Sequence, residues 1–172
     1  MGLGSFVLIR DLAAFTAPWR SLFNHSAPVE MSVVGLHVLA MLVAGGLAIA
    51  HDRGTLRAGG WSPAIREHHF AELHAVHRTV VVALAICMLS GFALFAADVT
   101  TYVVSVPFWI KMALIATLLG NALVMTATEG TLRVDSGGSA ALAWTRIRAS
   151  SIVSVALWGA IVLVSIVLSL SK

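Results

Sequence analysis

The sequence predicts an all-α integral membrane protein: an up-down four-helix transmembrane bundle with an N-terminal amphipathic interfacial helix. Three observations predict it. The 172 residues are 59% hydrophobic with only 11% Asp, Glu, Lys and Arg, against about 25% charged residues in soluble domains. The mean hydropathy is +0.93. Four apolar stretches, at about 31–51, 77–97, 103–127 and 149–170, match the ~20 residues a helix needs to cross ~30 Å of hydrocarbon. These figures exclude a soluble domain and a disordered segment. A single cysteine, Cys87, excludes an intramolecular disulfide framework. A formal net charge of +3 is too small to argue for nucleic acid.

Residues 1–30 form the amphipathic segment and residues 31–172 the transmembrane domain. Leu8, Leu12, Phe15, Trp19 and Leu22 fall near one helical face, interrupted by Arg10, Asp11 and Arg20. Such a stripe suits a helix lying in the interface. Pro18 predicts a kink or an end, and residues 24–28 a turn. A signal peptide would begin with basic residues, whereas residues 1–9 carry no charge, so a retained helix is expected.

The four runs must be helical, because backbone amides in lipid bond within their own segment; the alternating pattern of an outer-membrane barrel is absent. Their orientation follows from Lys and Arg. Seven of the eleven basic residues lie between spans one and two (Arg53, Arg57, Arg66, Arg78) or between spans three and four (Arg133, Arg146, Arg148). That side is expected to be cytoplasmic, which puts both termini on the periplasmic or outer side of a bacterial inner membrane. Gly137 and Gly138 mark a flexible patch in the second of these loops.

Ionisable groups inside spans are costly and face the bundle interior, so the few present are the candidate site. His37 and His51 lie 14 residues apart in span one, nearly four helical turns and roughly 21 Å along the axis. Both rings therefore leave one face, as two stacked b-type haems would require. Gly45 and Gly46 lie between them and admit close approach of a backbone or a flat macrocycle. The plainer reading is a hydrogen bond from His37 to a neighbouring helix, with His51 an interfacial residue. Before span two come Glu67, His68, His69, Glu72, His74 and His77. His74 and His77 share a helical face, and His77 matches His51 in depth. A bis-imidazole haem site, or a His51, His74, His77 metal site, is open to them, as is a solvated loop that binds nothing; imidazole does not choose the metal.

Lys111, inside span three, either snorkels or pairs with Asp98 or an anion such as a haem propionate. It shares a leaflet with His37, Asp98 and Tyr102. Asn121 is expected to bond across the bundle. Met41, Met88, Met112 and Met125 read as core filling, with a thioether path for copper as the alternative, and Cys87 as buried and inert. No phosphate loop, dinucleotide fingerprint or Ser-His-Asp pattern is present.

The run Leu36-His37-Val38-Leu39-Ala40 through Gly45-Gly46 to Asp52-Arg53 resembles the first span of the CopD-type copper-resistance membrane proteins and of four-span bacterial proteins grouped near them. The likeness continues through His77-Arg78, Ser90-Gly91, Asp98, Tyr102, Pro107-Phe108-Trp109-Ile110-Lys111 and Asn121, about half the chain. It implies copper handling in the membrane. A more distant likeness to the four-span haem-binding protoporphyrinogen oxidases implies roles for His37 and Lys111; Asn121 and Leu123 stand where that family carries a late third-span histidine. The two-haem b-type cytochromes share the 14-residue histidine spacing.

Three readings follow: a redox protein holding haem b on His37, His51 and His77, with Lys111 nearby; a copper-handling protein using His37, His51, His74 and His77; and a non-catalytic subunit or assembly factor. The expected partners are the lipid bilayer and, for the first reading, a quinone or another membrane redox protein. A homo-oligomer is compatible with all three.

Overall fold

A computed structural model describes the backbone of residues 3–57, 63–134 and 139–170 and the side chains of residues 7, 9–57, 78–128 and 142–170. The flexible patch expected at Gly137 and Gly138 lies outside the described residues. The described chain is helical throughout: α1 (Leu3–Phe15), α2 (Ala17–His25), α3 (Ala27–Arg57), α4 (Pro63–Ala97), α5 (Val99–Val104), α6 (Val106–Val134) and α7 (Ser139–Leu170). Among the described residues, four stretches are long and apolar enough to span a membrane, in α3, α4, α6 and α7. They correspond to the four runs read from the sequence. The helices run further than those runs. The 31 residues of α3 and 32 of α7 rise about 46–48 Å, beyond the ~30 Å hydrocarbon thickness. A helix that has satisfied its own amides has no reason to stop at the headgroups.

The N-terminal segment is two helices rather than one. The break comes at Thr16, between α1 and α2, and Pro18 sits in the first turn of α2, where its missing N–H removes no helical bond. The expected turn over residues 24–28 contracts to Ser26, whose extended backbone (φ −128°, ψ 92°) separates α2 from α3. Pro28 falls inside the first turn of α3. The predicted apolar stripe divides. Trp19 turns to the bundle, its indole N–H donating to the Ala93 carbonyl of α4 at 2.8 Å. Phe23 is buried beside it, while Leu12, Phe15 and Leu22 are exposed.

Helices α3 and α4 pack against each other, as do α6 and α7, the arrangement expected of helices consecutive in a bundle. Helix α3 also packs on α7, and α4 and α6 meet at most marginally. The spans therefore form an arc in the order α4, α3, α7, α6. Its centre is the cluster Ala44, Ala83, Leu118, Trp158 and Ile161. Small residues let the middle pair approach: a Cβ on Gly45 would stand 3.0–3.1 Å from ring carbons of Trp158. The sequence left the Gly45-Gly46 notch open to a macrocycle. The structure fills the Gly45 side with an indole of the same chain, and Gly46 has nothing within 4 Å.

Asn121 does bond across the bundle. Its Nδ2 donates to the Ser150 carbonyl and its Oδ1 accepts from Ser150 Oγ, both at 3.0 Å, tying α6 to α7. Asp52 and Thr55 near the end of α3 and Ser151 and Ser154 near the middle of α7 are also buried.

Gly45→Val, which drives a branched side chain into the Trp158 ring, should cost about 1–3 kcal/mol by overpacking. Gly46→Ala, with open space at that position, should leave the thermal midpoint in detergent unchanged. Equal shifts for both variants would show that the Gly45–Trp158 contact does not hold the arc.

Candidate functional site

Because α4 and α6 stand apart, a cavity of about 380 Å³ opens between them, within the size range of small-molecule and cofactor sites. Met41 of α3 and Trp158 and Ile161 of α7 lie at its back. Leu84, Met88, Phe92 and Phe95 line it from α4, and Phe108, Met112, Ile115 and Leu118 from α6. The lining is apolar except for His37, Cys87, Tyr102 and Lys111. The side of the molecule that carries α5 therefore holds the chemistry.

His37 lies ten residues into α3, about 15 Å from its start, and faces α4. Its Nδ1 is 3.0 Å from the Cys87 carbonyl oxygen and 3.0 Å from Ser90 Oγ. The chemistry of these neighbours decides the tautomer. A carbonyl only accepts, and Ser90 Oγ gives its own proton to a carbonyl of its helix, that of Ile86 at 2.7 Å or of Cys87 at 3.1 Å, so towards the ring it is an acceptor too. Nδ1 therefore carries the proton, and Nε2 keeps its lone pair. No hydrogen bond engages Nε2 among the described residues. This is the arrangement usual in a metal-ligating histidine, in which the second nitrogen donates to a backbone carbonyl and fixes the ring. Gly91 makes room for it: a Cβ there would lie 3.2 Å from His37 Cε1.

Cys87 Sγ lies 3.8 Å from His37 Nδ1. Lys111, on the facing wall, lines the same cavity as His37 and Cys87. The polar group expected in one leaflet is thus assembled for His37, Tyr102 and Lys111. Asp98 is used elsewhere, accepting from Thr101 N–H at 3.4 Å as the cap of α5. At the α5 end the cavity meets an aromatic cluster. Phe95 stacks on Phe108 with centroids 5.4 Å apart and 14° between planes, and Tyr102 lies 5.5 Å from Phe108 and 6.3 Å from Phe95.

Of the other candidates, the one with a described side chain, His51, does not join this site. His51 is half-buried on α3 and does not line the cavity. His74 and His77, like Glu67, His68, His69 and Glu72, have side chains outside the described residues. Among the described residues no three His, Cys, Asp or Glu side chains cluster to hold a metal ion. Sequence reasoning treated Cys87, Met41 and Met88 as filling and did not group Phe95 with Tyr102 and Phe108. The one available signal was the spacing of Leu84, Cys87, Met88, Gly91 and Phe95, which repeats at helical period along a single face.

No family model, no curated protein and no solved structure matches this chain.

Selective ¹⁵N-histidine labelling should show His37 protonated at Nδ1 and bare at Nε2. Gly91→Val should displace the ring and broaden or shift that signal, whereas Gly91→Ala should move it less. An Nε2–H tautomer in the unmodified protein would contradict the hydrogen-bond assignment.

Proposed function

We propose that the protein is a membrane redox protein that holds one b-type haem in the cavity between α4 and α6, where His37 Nε2 would hold its iron. The observation that carries this reading is the ring of His37, fixed through Nδ1 on the Cys87 carbonyl and left with a lone pair at Nε2. A cross-helix hydrogen bond alone would account for Nδ1. It does not account for a second nitrogen without a partner among the described residues, on a wall otherwise apolar. The donor chemistry suits the group: imidazole for iron, apolar and aromatic walls for a macrocycle, and the Lys111 ammonium for a propionate. Met41, Met88 and Met112 bring thioether donors to the same walls. Haem, when bound, supplies one-electron chemistry at iron, with a potential set by axial ligation and burial.

The chain's own residues do the rest. Cys87 and Ser90 hold the imidazole in one tautomer, Lys111 offsets anionic charge, and the Phe95, Tyr102 and Phe108 rings keep water from the α5 end. One haem is proposed rather than two, because among the described residues no second histidine lines this cavity with His37. An inner site on His51 and His77 would need the His77 side chain, which lies outside the described residues. With the basic loops cytoplasmic, the cavity lies in the outer leaflet of a bacterial inner membrane, where a quinone or a membrane redox protein exchanges electrons with it.

The second reading is copper handling, in keeping with the CopD-type resemblance. It is favoured by Cys87 Sγ, 3.8 Å from the His37 ring, together with three methionines on the same walls; sulfur ligands select Cu(I).

An optical spectrum and metal analysis of the purified protein separate the two. Haem gives a Soret band that shifts on reduction; colourless protein with stoichiometric copper favours the second reading, and neither signal leaves a non-catalytic subunit. His37→Ala should at least halve bound haem, and Lys111→Met should weaken haem affinity about tenfold, the worth of one charge-assisted hydrogen bond. Unchanged haem content in His37→Ala would remove this residue from the site.

A further inference from the structure

The cavity is closed towards water and open towards lipid. At the α5 end the route from water is blocked by the Phe95, Tyr102 and Phe108 rings, in mutual contact at 5.4–6.3 Å. Above them lies α5, with Val99 and Ala97 buried at its start. The Trp109 indole N–H, donating to the Val103 carbonyl at 2.9 Å, pins α6 to α5. At the back, α3 and α7 pack through Gly45 and Trp158. At mid-membrane the cluster of Ala44, Ala83, Leu118 and Trp158 closes the floor. The remaining side is the gap between α4 and α6. There four residues that line the cavity are accessible: Met88, Phe92, Trp109 and Met112 are 45%, 60%, 57% and 37% exposed. These positions lie within the apolar spans, so what they meet outside is hydrocarbon.

We infer that the cavity is loaded sideways from the bilayer, through the α4–α6 gap, and that its ligand is a membrane-dissolved molecule with an apolar body and a carboxylate edge that comes to rest beside Lys111. The inference rests on the haem reading and adds the source and the route. A molecule arriving from water would have to part the three rings and lift α5. One already in the leaflet passes only the side chains of Met88, Phe92, Trp109 and Met112, which are unbranched or flat and turn without moving backbone. The charge fits as well. A carboxylate that trails at the headgroup level while its body slides inward meets the one lysine of the spans, five residues into α6 and about 7.5 Å below the start of that helix.

The test uses the full-length protein, free of haem, in phosphatidylcholine liposomes. Haem is supplied either dissolved in donor vesicles, with excess albumin in the water to trap any that escapes, or in water alone. Soret absorbance is followed in time and at equilibrium after vesicle fusion. Loading from the bilayer should proceed despite albumin. With each rate taken relative to that variant's own final absorbance, Phe92→Trp should slow it about tenfold and Phe92→Ala should quicken it, the rate ratio of a ~1.4 kcal/mol change in barrier. Phe108→Ala, which thins the aromatic cluster, should change the bilayer rate less than either Phe92 variant. Loading that albumin abolishes, or that Phe108→Ala quickens while both Phe92 variants match the unmodified protein, overturns lateral loading and leaves the haem reading standing. No Soret band at equilibrium in the unmodified protein overturns both.

Discussion

The contact between Gly45 and Trp158 decides the shape of this bundle. A glycine at that position lets the flat indole lie against the backbone of α3, so α3 and α7 become the inner pair. Helix α4 then packs on the outer side of α3, and α6 on the outer side of α7. Four helices in a square would bring α4 and α6 together and leave no space. Four helices in an arc leave the two end members facing each other across a gap, with the back of the inner pair as its wall. Trp158 serves both purposes, filling the α3 notch with one face of its ring and lining the cavity. In lipid no hydrophobic force drives helices together, so a close fit at one pair of residues weighs more than it would in water.

His37 shows how a polar group is held at membrane depth. An imidazole has two nitrogens and, when neutral, one proton. The Nδ1–H donates to the Cys87 carbonyl of α4, and this bond joins α3 to α4. Such interhelical bonds contribute on average about 0.6 kcal/mol, too little to justify a histidine in hydrocarbon on structural grounds alone. Serine or threonine could supply the same bond at lower desolvation cost.

How far the sequence could be read divides along the kinds of information it holds. Length and hydropathy locate α3, α4, α6 and α7, and the short loops imply their antiparallel pairing. The pairing of Asn121 with Ser150 was legible in part: a lone amide in a span needs a partner, but its identity depends on register. The order of the helices was not legible. Lipid-facing and buried positions are both apolar in a span, so periodicity carries little about which face meets which neighbour; Leu89, exposed, and Ala83, buried, belong to one run. The site was half legible. His37 and Lys111 stood out as ionisable groups at depth, whereas Cys87, Met88 and Phe95 are ordinary residues of an apolar helix until α6 is placed opposite them. Ser26 and Thr16 were mislocated by a few residues because proline marks a neighbourhood and not the broken residue itself.

The indole bond from Trp19 to the Ala93 carbonyl joins positions 74 residues apart. At the usual rate of synthesis, ~5–20 residues per second, about 4–15 s pass between the making of one partner and the other. For that interval the first two helices have no bundle to dock on, and their apolar stripe has the membrane surface as its only resting place. Docking of α2 through Trp19 therefore waits until α4 has been made.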